Sequence, residues 1–191
     1  IDGVIVASPS NPTGSMIDEA LFRAIAGWCE ARGAVLISDE IYHGIQYGRP
    51  AVTAAAVAPD AFVVNSFSKY FSMTGWRLGW LVLPPELVRP VELLAQNLFI
   101  SAPTLSQIAA TAAFDDTAEL DVHVARYAAN RALALDGLAA IGCTTVAPAE
   151  GAFYCYADVS HLAGDSQELS RRWLDELGVA AELALGGVEL E

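Results

Sequence analysis

The 191-residue chain contains one lysine, Lys69, and it follows an apolar stretch of strand length, residues 61–66. In open parallel sheets, ligands sit beyond the carboxyl ends of the strands. A lysine held in that layer, and deprotonated by burial or neighbouring charge, can form a Schiff base with a carbonyl. The plainer alternative is a solvated lysine at a strand end. Asp39 ends a second apolar stretch, residues 35–38. A carboxylate there is partly buried and needs a cation or a donor, because an uncompensated buried charge is costly. A protonated ring nitrogen would serve; so would capping of the following turn. Tyr42 lies three residues on, and a helical turn would set it on the same side as Asp39, as a ligand's hydrogen-bond partner or as a core tyrosine. Ser66, Ser68 and Arg77 bring two hydroxyls and a guanidinium, the groups that hold a phosphate, although a lone arginine is more often a surface ion-pair residue. Asn11 stands in SPSNPTG, a dense cluster of turn residues after the apolar residues 2–7. Three strand ends thus carry Asn11, then Asp39 and Tyr42, then Ser66, Ser68 and Lys69. That convergence points to one site.

These groups need a scaffold, and the apolar spacing outlines it. Strands are expected at residues 2–7, 35–38, 61–66 and 77–83. A helix is expected at 18–32, where Leu21, Ile25, Trp28 and Cys29 recur at helical spacing and Gly33 supplies a stop. Strands separated by helix make an α/β fold with a largely parallel sheet. From Pro85 the pattern turns helical, over 85–98, 104–114 and 119–141. Two strand-like pieces follow, at 143–147 and 152–159, and then an amphipathic helix at 166–177. The long third helix reads as a connector, which puts a domain boundary near 116–120. The division expected is 1–118 and 119–191.

Composition narrows the function classes. The chain is 54% hydrophobic and 17% charged, with a formal net charge of -13, a globular rather than a disordered balance. Nucleic acid and anionic membranes call for clusters of Lys and Arg, so neither is an expected partner. No apolar run reaches the roughly 20 residues of a membrane span. Cys29, Cys143 and Cys155 are odd in number and lack metal-ligand spacing, so buried thiols in a reducing cytoplasm are expected. His43, His123 and His161 have no evident catalytic partners.

The strings SPSNPTG, SDEIY and SFSKYFSMTGWRLGW occur in that order. Together they resemble the signature set of class I aminotransferases, pyridoxal-phosphate (PLP) enzymes of fold type I, over most of residues 1 to about 180. The resemblance implies a role for each matched position. Asn11 and Tyr42 would share the cofactor's phenolic oxygen. Asp39 would keep its pyridine nitrogen protonated. Ser66, Ser68 and Arg77 would hold its phosphate. Lys69 would carry it as an internal aldimine and then move the proton between the substrate α-carbon and the cofactor as general acid and base. An amino group would pass between an amino acid and a 2-oxo acid. The segment 97–106 resembles the part that reaches a neighbouring subunit's site in homodimers of the family. Glu40 has a structural role by this reading, and His43 a structural or solvated one.

The resemblance also implies departures. The glycine-rich turn, the ring-stacking aromatic and the arm expected ahead of SPSNPTG are absent. After Gly178 the sequence runs VAAELALGGVELE instead of the Pro-Gly turn and substrate-carboxylate arginine of the family. The chain is therefore expected to be the C-terminal half of a longer enzyme, with a partial large domain and an incomplete α+β small domain; Leu190 and Glu191 read as a vector remnant. Two other readings stay open. The same fold runs C–S lyases, synthases and decarboxylases, and a PLP-binding sensor domain without catalysis would keep the same motifs.

Overall fold

The computed structural model describes residues 1–115 and 117–181. The readings made on Asp116 and on the tail beyond Ala181, including the departure from the family's C-terminal pattern, lie outside the described residues.

Four strands form one sheet in sequence order: β1 (Gly3–Ala7), β2 (Val35–Asp39), β3 (Phe62–Ser66) and β4 (Gly79–Val82). The first three are parallel and β4 is antiparallel. Helix α1 (Glu19–Glu30) makes the crossover from β1 to β2. It begins where Asp18 accepts a hydrogen bond from the Leu21 amide at 2.8 Å, a cap worth about 1 kcal/mol. Its Phe22 and Cys29 pack with Leu36 and Val63 of the sheet, and with Ala54 and Ala61, into the main core. Phe22 is fully buried, which stabilises the fold by about 2–3 kcal/mol.

Alternation along the strands sorts their side chains between two faces. The register pairs Val4 with Leu36 and Ser38 with Val63, on the face that packs against α1. The other face carries Ile5 opposite Ile37, Asp39 opposite Ala7 and Val64, and Val64 opposite Leu81. Asp39 and Ser66 share this second face at its polar end, because both sit at even steps from Ile37 and Val64.

Beyond the sheet come α2 (Pro85–Phe99), α3 (Thr104–Ala113) and the long α4 (Ala118–Ala140). A second cluster joins α3 to the β3–β4 connection, where Phe67, Met73 and Ala110 are buried against Phe71, Leu78 and Trp80. Helix α5 (Ser166–Arg172) continues as one wide π turn, Trp173–Leu177, which stops at Gly178 with φ 68°. The helix expected over 166–177 is thus regular for little more than its first half.

The two strands expected at 143–147 and 152–159 do not form. They meet through a single bridge, Val146 with Ala157, flanked by Ala147 N donating to Tyr156 O and Asp158 N to Thr145 O. The reason lies at their near ends. Ala152 adopts φ 57°, outside the extended region, and Gly151 bridges to Gln46 instead. A different partner outbids the local hairpin.

Candidate functional site

The site lies at the carboxyl ends of β1, β2 and β3. After β1, the loop of residues 8–14 turns back on itself: Gly14 N donates to Ser10 O at 2.8 Å, and Ser10 N to Ser15 O at 3.0 Å. Ser8 is fully buried; its hydroxyl accepts from Ile17 N at 2.9 Å and its amide donates to Asp39 O at 3.0 Å. This ties the Asn11 loop to the end of β2.

At that end, Asp39 accepts a hydrogen bond from Ile41 N at 3.1 Å through Oδ1. The capping role foreseen for it is present, and among the described residues the second carboxylate oxygen accepts no hydrogen bond. The turn that follows, closed by His43 N donating to Glu40 O at 2.9 Å, brings Tyr42 close enough for the Asp39 charge to act on its phenol. Asn11 lies near enough to the same phenol to favour its ionised form. Tyr42 itself is 4% exposed. Burial chiefly, then the Tyr154 hydroxyl and the Asp39 charge, holds its phenol far above the ordinary tyrosine range, while the Asn11 hydrogen bond pulls the other way.

Lys69 is half-buried, with Nζ 5.5 Å from the Tyr42 ring centroid and 5.7 Å from that of Phe153, within the range of cation–π attraction. Before it, the Ser66 hydroxyl donates to Ser68 Oγ at 2.9 Å and accepts from Ser68 N at 3.0 Å. Ser66 also contacts Leu78 O at 3.1 Å, and Thr74 donates to Ser68 O. Both serines are therefore held by the β3–β4 connection. Arg77 follows on that connection in the left-handed region, φ 52° and ψ 51°, exposed, with Nη1 donating to Thr74 O at 3.0 Å. The structure thus gathers Asn11, Asp39 and Lys69 around the Tyr42 phenol. Ser66 and Ser68 form a neighbouring pair, and Arg77 rests on its own turn.

Two further groups were invisible in the sequence. Tyr154 sets its hydroxyl 2.5 Å from that of Tyr42, and Phe153 meets the Tyr42 ring edge-on at 5.5 Å. Read locally, residues 152–159 look like an alternating strand, and nothing in that pattern says which side faces Lys69. Phe153 and Tyr154 also line a cavity of about 370 Å³ with Tyr47, Tyr127 and Arg131. Burial pushes the Tyr47 phenol up to about 12.

Glu40 and His43 behave as structural groups. Glu40 is 1% exposed; its Oε1 accepts from Ala54 N at 2.7 Å and from the Ser38 hydroxyl at 3.1 Å. His43 Nδ1 lies 3.4 Å from its Oε2, and burial lowers the imidazole's pKa below the usual 6.5. Cys29 and Cys143 are buried as expected, whereas Cys155 is half-exposed at the cavity. Among the described residues, no group of His, Cys, Asp and Glu could hold a metal ion, and no helix is long and apolar enough to cross a membrane.

The donor set fits a phosphorylated pyridine aldehyde. A lysine stands over a buried phenol, a carboxylate keeps one free oxygen beside it, and a hydroxyl pair with a following guanidinium lies on the next strand connection. Comparison with known proteins agrees. Residues 1–182 match the family model described as aminotransferase class I and II. The chain is 53% identical over 182 residues to a valine–pyruvate aminotransferase of Mycobacterium tuberculosis, covering 93% of this chain and 47% of that protein. It is 35% identical over 182 residues to an aspartate/prephenate aminotransferase of Thermus thermophilus, with 93% and 47% covered. Among solved structures, an aminotransferase from M. tuberculosis superposes with a TM-score of 0.91 at 52% identity, over 94% of this chain and 48% of that one. The chain spans about half the length of the curated relatives it matches.

Proposed function

The chain belongs to the class I and II aminotransferase family, and from that premise we propose that it carries the lysine-bearing part of a PLP-dependent aminotransferase site, with Lys69 as the attachment point. The observation that carries this reading is the meeting of Lys69 with the Tyr42 phenol, 5.5 Å from nitrogen to ring centroid, where Asn11 and Asp39 also converge. When bound, the cofactor supplies an electron-withdrawing ring that accepts the electron pair left as a substrate α-hydrogen departs as a proton.

The chain's residues supply the rest. The Asp39 carboxylate opposes the positive charge of a protonated ring nitrogen. Asn11 and Tyr42 hydrogen-bond the ring oxygen and fix the ring's orientation. Ser66, Ser68 and Arg77 bind the phosphate through hydroxyl and charge-assisted hydrogen bonds. Lys69 Nζ, once released from attachment, would take the α-proton and return it two bonds away, at the carbon that came from the cofactor's aldehyde. The Tyr42 and Phe153 rings flank the lysine nitrogen, at 5.5 and 5.7 Å from their centroids.

The substrates of this reading are an amino acid and a 2-oxo acid. The likeness to the valine–pyruvate aminotransferase supports a small aliphatic donor. The same reading includes a homodimer, supported by the exposed apolar residues Leu98, Phe99, Ile100 and Leu105 within the segment 97–106. It also includes a cytoplasmic setting, and a division at about residue 118 between a large PLP-binding domain and a smaller one entered through α4.

The test is covalent. The chain is incubated with PLP, reduced with borohydride and mapped by mass spectrometry. A reduced cofactor adduct on Lys69, absent from Lys69→Ala, is the expected result. An adduct confined to the N-terminal amine would overturn the assignment.

A further inference from the structure

We infer that Tyr154 is a positioning residue for the candidate site: its hydroxyl fixes the hydrogen bonding of the Tyr42 phenol, and so ties the segment after α4 to the chemistry at Lys69. The inference rests on the reading above only for the use made of the phenol. The contact itself is 2.5 Å between the two hydroxyl oxygens, with the rings edge-to-face at 5.6 Å. Tyr42 is almost fully buried, so its single proton has few acceptors. Whichever phenol donates, the other's lone pair is taken, and the choice decides whether Tyr42 presents a donor or an acceptor to a ligand.

The geometry is built rather than incidental. Tyr154 is held through the residues that precede it in its own segment. Glu150 N and Gly151 N both donate to Gly14 O at 2.9 Å, and Ala152 N donates to Ile45 O at 2.9 Å. The Tyr47 hydroxyl donates to Ala152 O at 2.6 Å. Gly151 lies so close to Pro9 and to Ile45 O that a Cβ would approach them at 2.5 and 3.0 Å. Ala152, fully buried, takes φ 57°, a conformation that costs about 1 kcal/mol or more for a residue with a Cβ. That strained residue redirects the chain so that Phe153 and Tyr154 both meet Tyr42.

The polar and charged groups that act on the Tyr42 phenol come from four segments. Asn11 acts from the first loop, Asp39 acts through its charge from the end of β2, Lys69 stands over the ring, and Tyr154 shares the hydroxyl contact. Of these, only Tyr154 belongs to the part of the chain beyond α4.

The experiment needs no cofactor, so its failure and that of the aminotransferase reading are separable. A fluorotyrosine, with fluorine beside the hydroxyl, is placed at position 42 of the full chain, and its titration is followed by fluorine NMR. The Tyr154 hydroxyl is one of the groups that raise the Tyr42 phenol, after burial. Tyr154→Phe removes that hydroxyl and keeps the ring. The titration is then expected to move down by about 0.5–1 pH unit, the worth of one hydrogen bond, with the near-ultraviolet circular dichroism unchanged. A purely structural Tyr154 would shift the melting temperature and leave the titration where it was, which would overturn the inference. If Tyr154→Phe does not fold, the fluorotyrosine goes to position 154 and Tyr42→Phe is the variant. A displaced titration supports the pairing, and coincident titrations refute it.

Discussion

The corner that holds residues 150–154 and the surface formed by α2 and α3 are built on opposite plans. In the corner, nearly every hydrogen bond spans a hundred residues or more: Glu150 and Gly151 to Gly14, Ala152 to Ile45, Tyr47 to Glu150, and Met16 N to the Glu150 carboxylate at 3.0 Å. Arg49 adds an ion pair to that carboxylate at 3.3 Å, partly exposed and worth little by itself. On α2, the side-chain bonds are local, Arg89 to Glu92 at 3.1 Å and Asn97 to Leu93 O at 2.7 Å. No residue of α2 is buried, and Leu98 and Ile100 are 71% and 81% exposed. Both regions contain apolar residues in regular order. The difference shows that periodicity makes an element, while long-range polar contacts make a position.

The contrast breaks most visibly at Gly151. Gly151→Val drives a side chain into Pro9 and Ile45 O, an overpacking expected to cost about 3 kcal/mol in urea unfolding; a cost below about 1 kcal/mol would mean that the corner yields. A smaller effect is expected from pH. Burial holds the His43 imidazole below its ordinary pKa of 6.5, against the opposing pull of Glu40. A histidine with a depressed folded-state value leaves the unfolded chain binding more protons. Its contribution to stability is therefore complete above about pH 6.5 and is lost as the pH falls from there toward the lowered value. His43→Asn should flatten that acid limb of the urea midpoint, and an unchanged limb would assign it to other groups. The smallest effect belongs to the open side. Leu98→Ser is expected to alter stability by less than about 0.5 kcal/mol, while reducing self-association in sedimentation; a large loss of stability would mean that α2 packs more tightly than its exposure indicates.

The same contrast explains what could be read from the sequence. The strands and helices up to α4 came through within a residue or two, because each carries its own period and its own cap, as Asp18 does for α1. Lys69, Asp39, Tyr42 and Asn11 stood out because polar residues at the ends of apolar strands are few, and three such ends coincide in a parallel sheet. The identification of their ligand came from motif resemblance, which no hydrophobic pattern supplies. Tyr154 was missed for a reason of the opposite kind. Its neighbours alternate like a strand, but the strained backbone at Ala152 and the close approach of Gly151 to Pro9 are decided by residues more than a hundred positions away. The hairpin expected at 143–147 and 152–159 failed for the same reason.

The shared acceptor Gly14 O, which receives both Glu150 N and Gly151 N, lies three residues from Asn11 along one loop. Any ligand that stiffens that loop must therefore favour the docked arrangement of the segment after α4, and any displacement of that segment must weaken the ligand by the same factor. Occupancy at one end of the chain and geometry at the other are two readings of a single equilibrium constant.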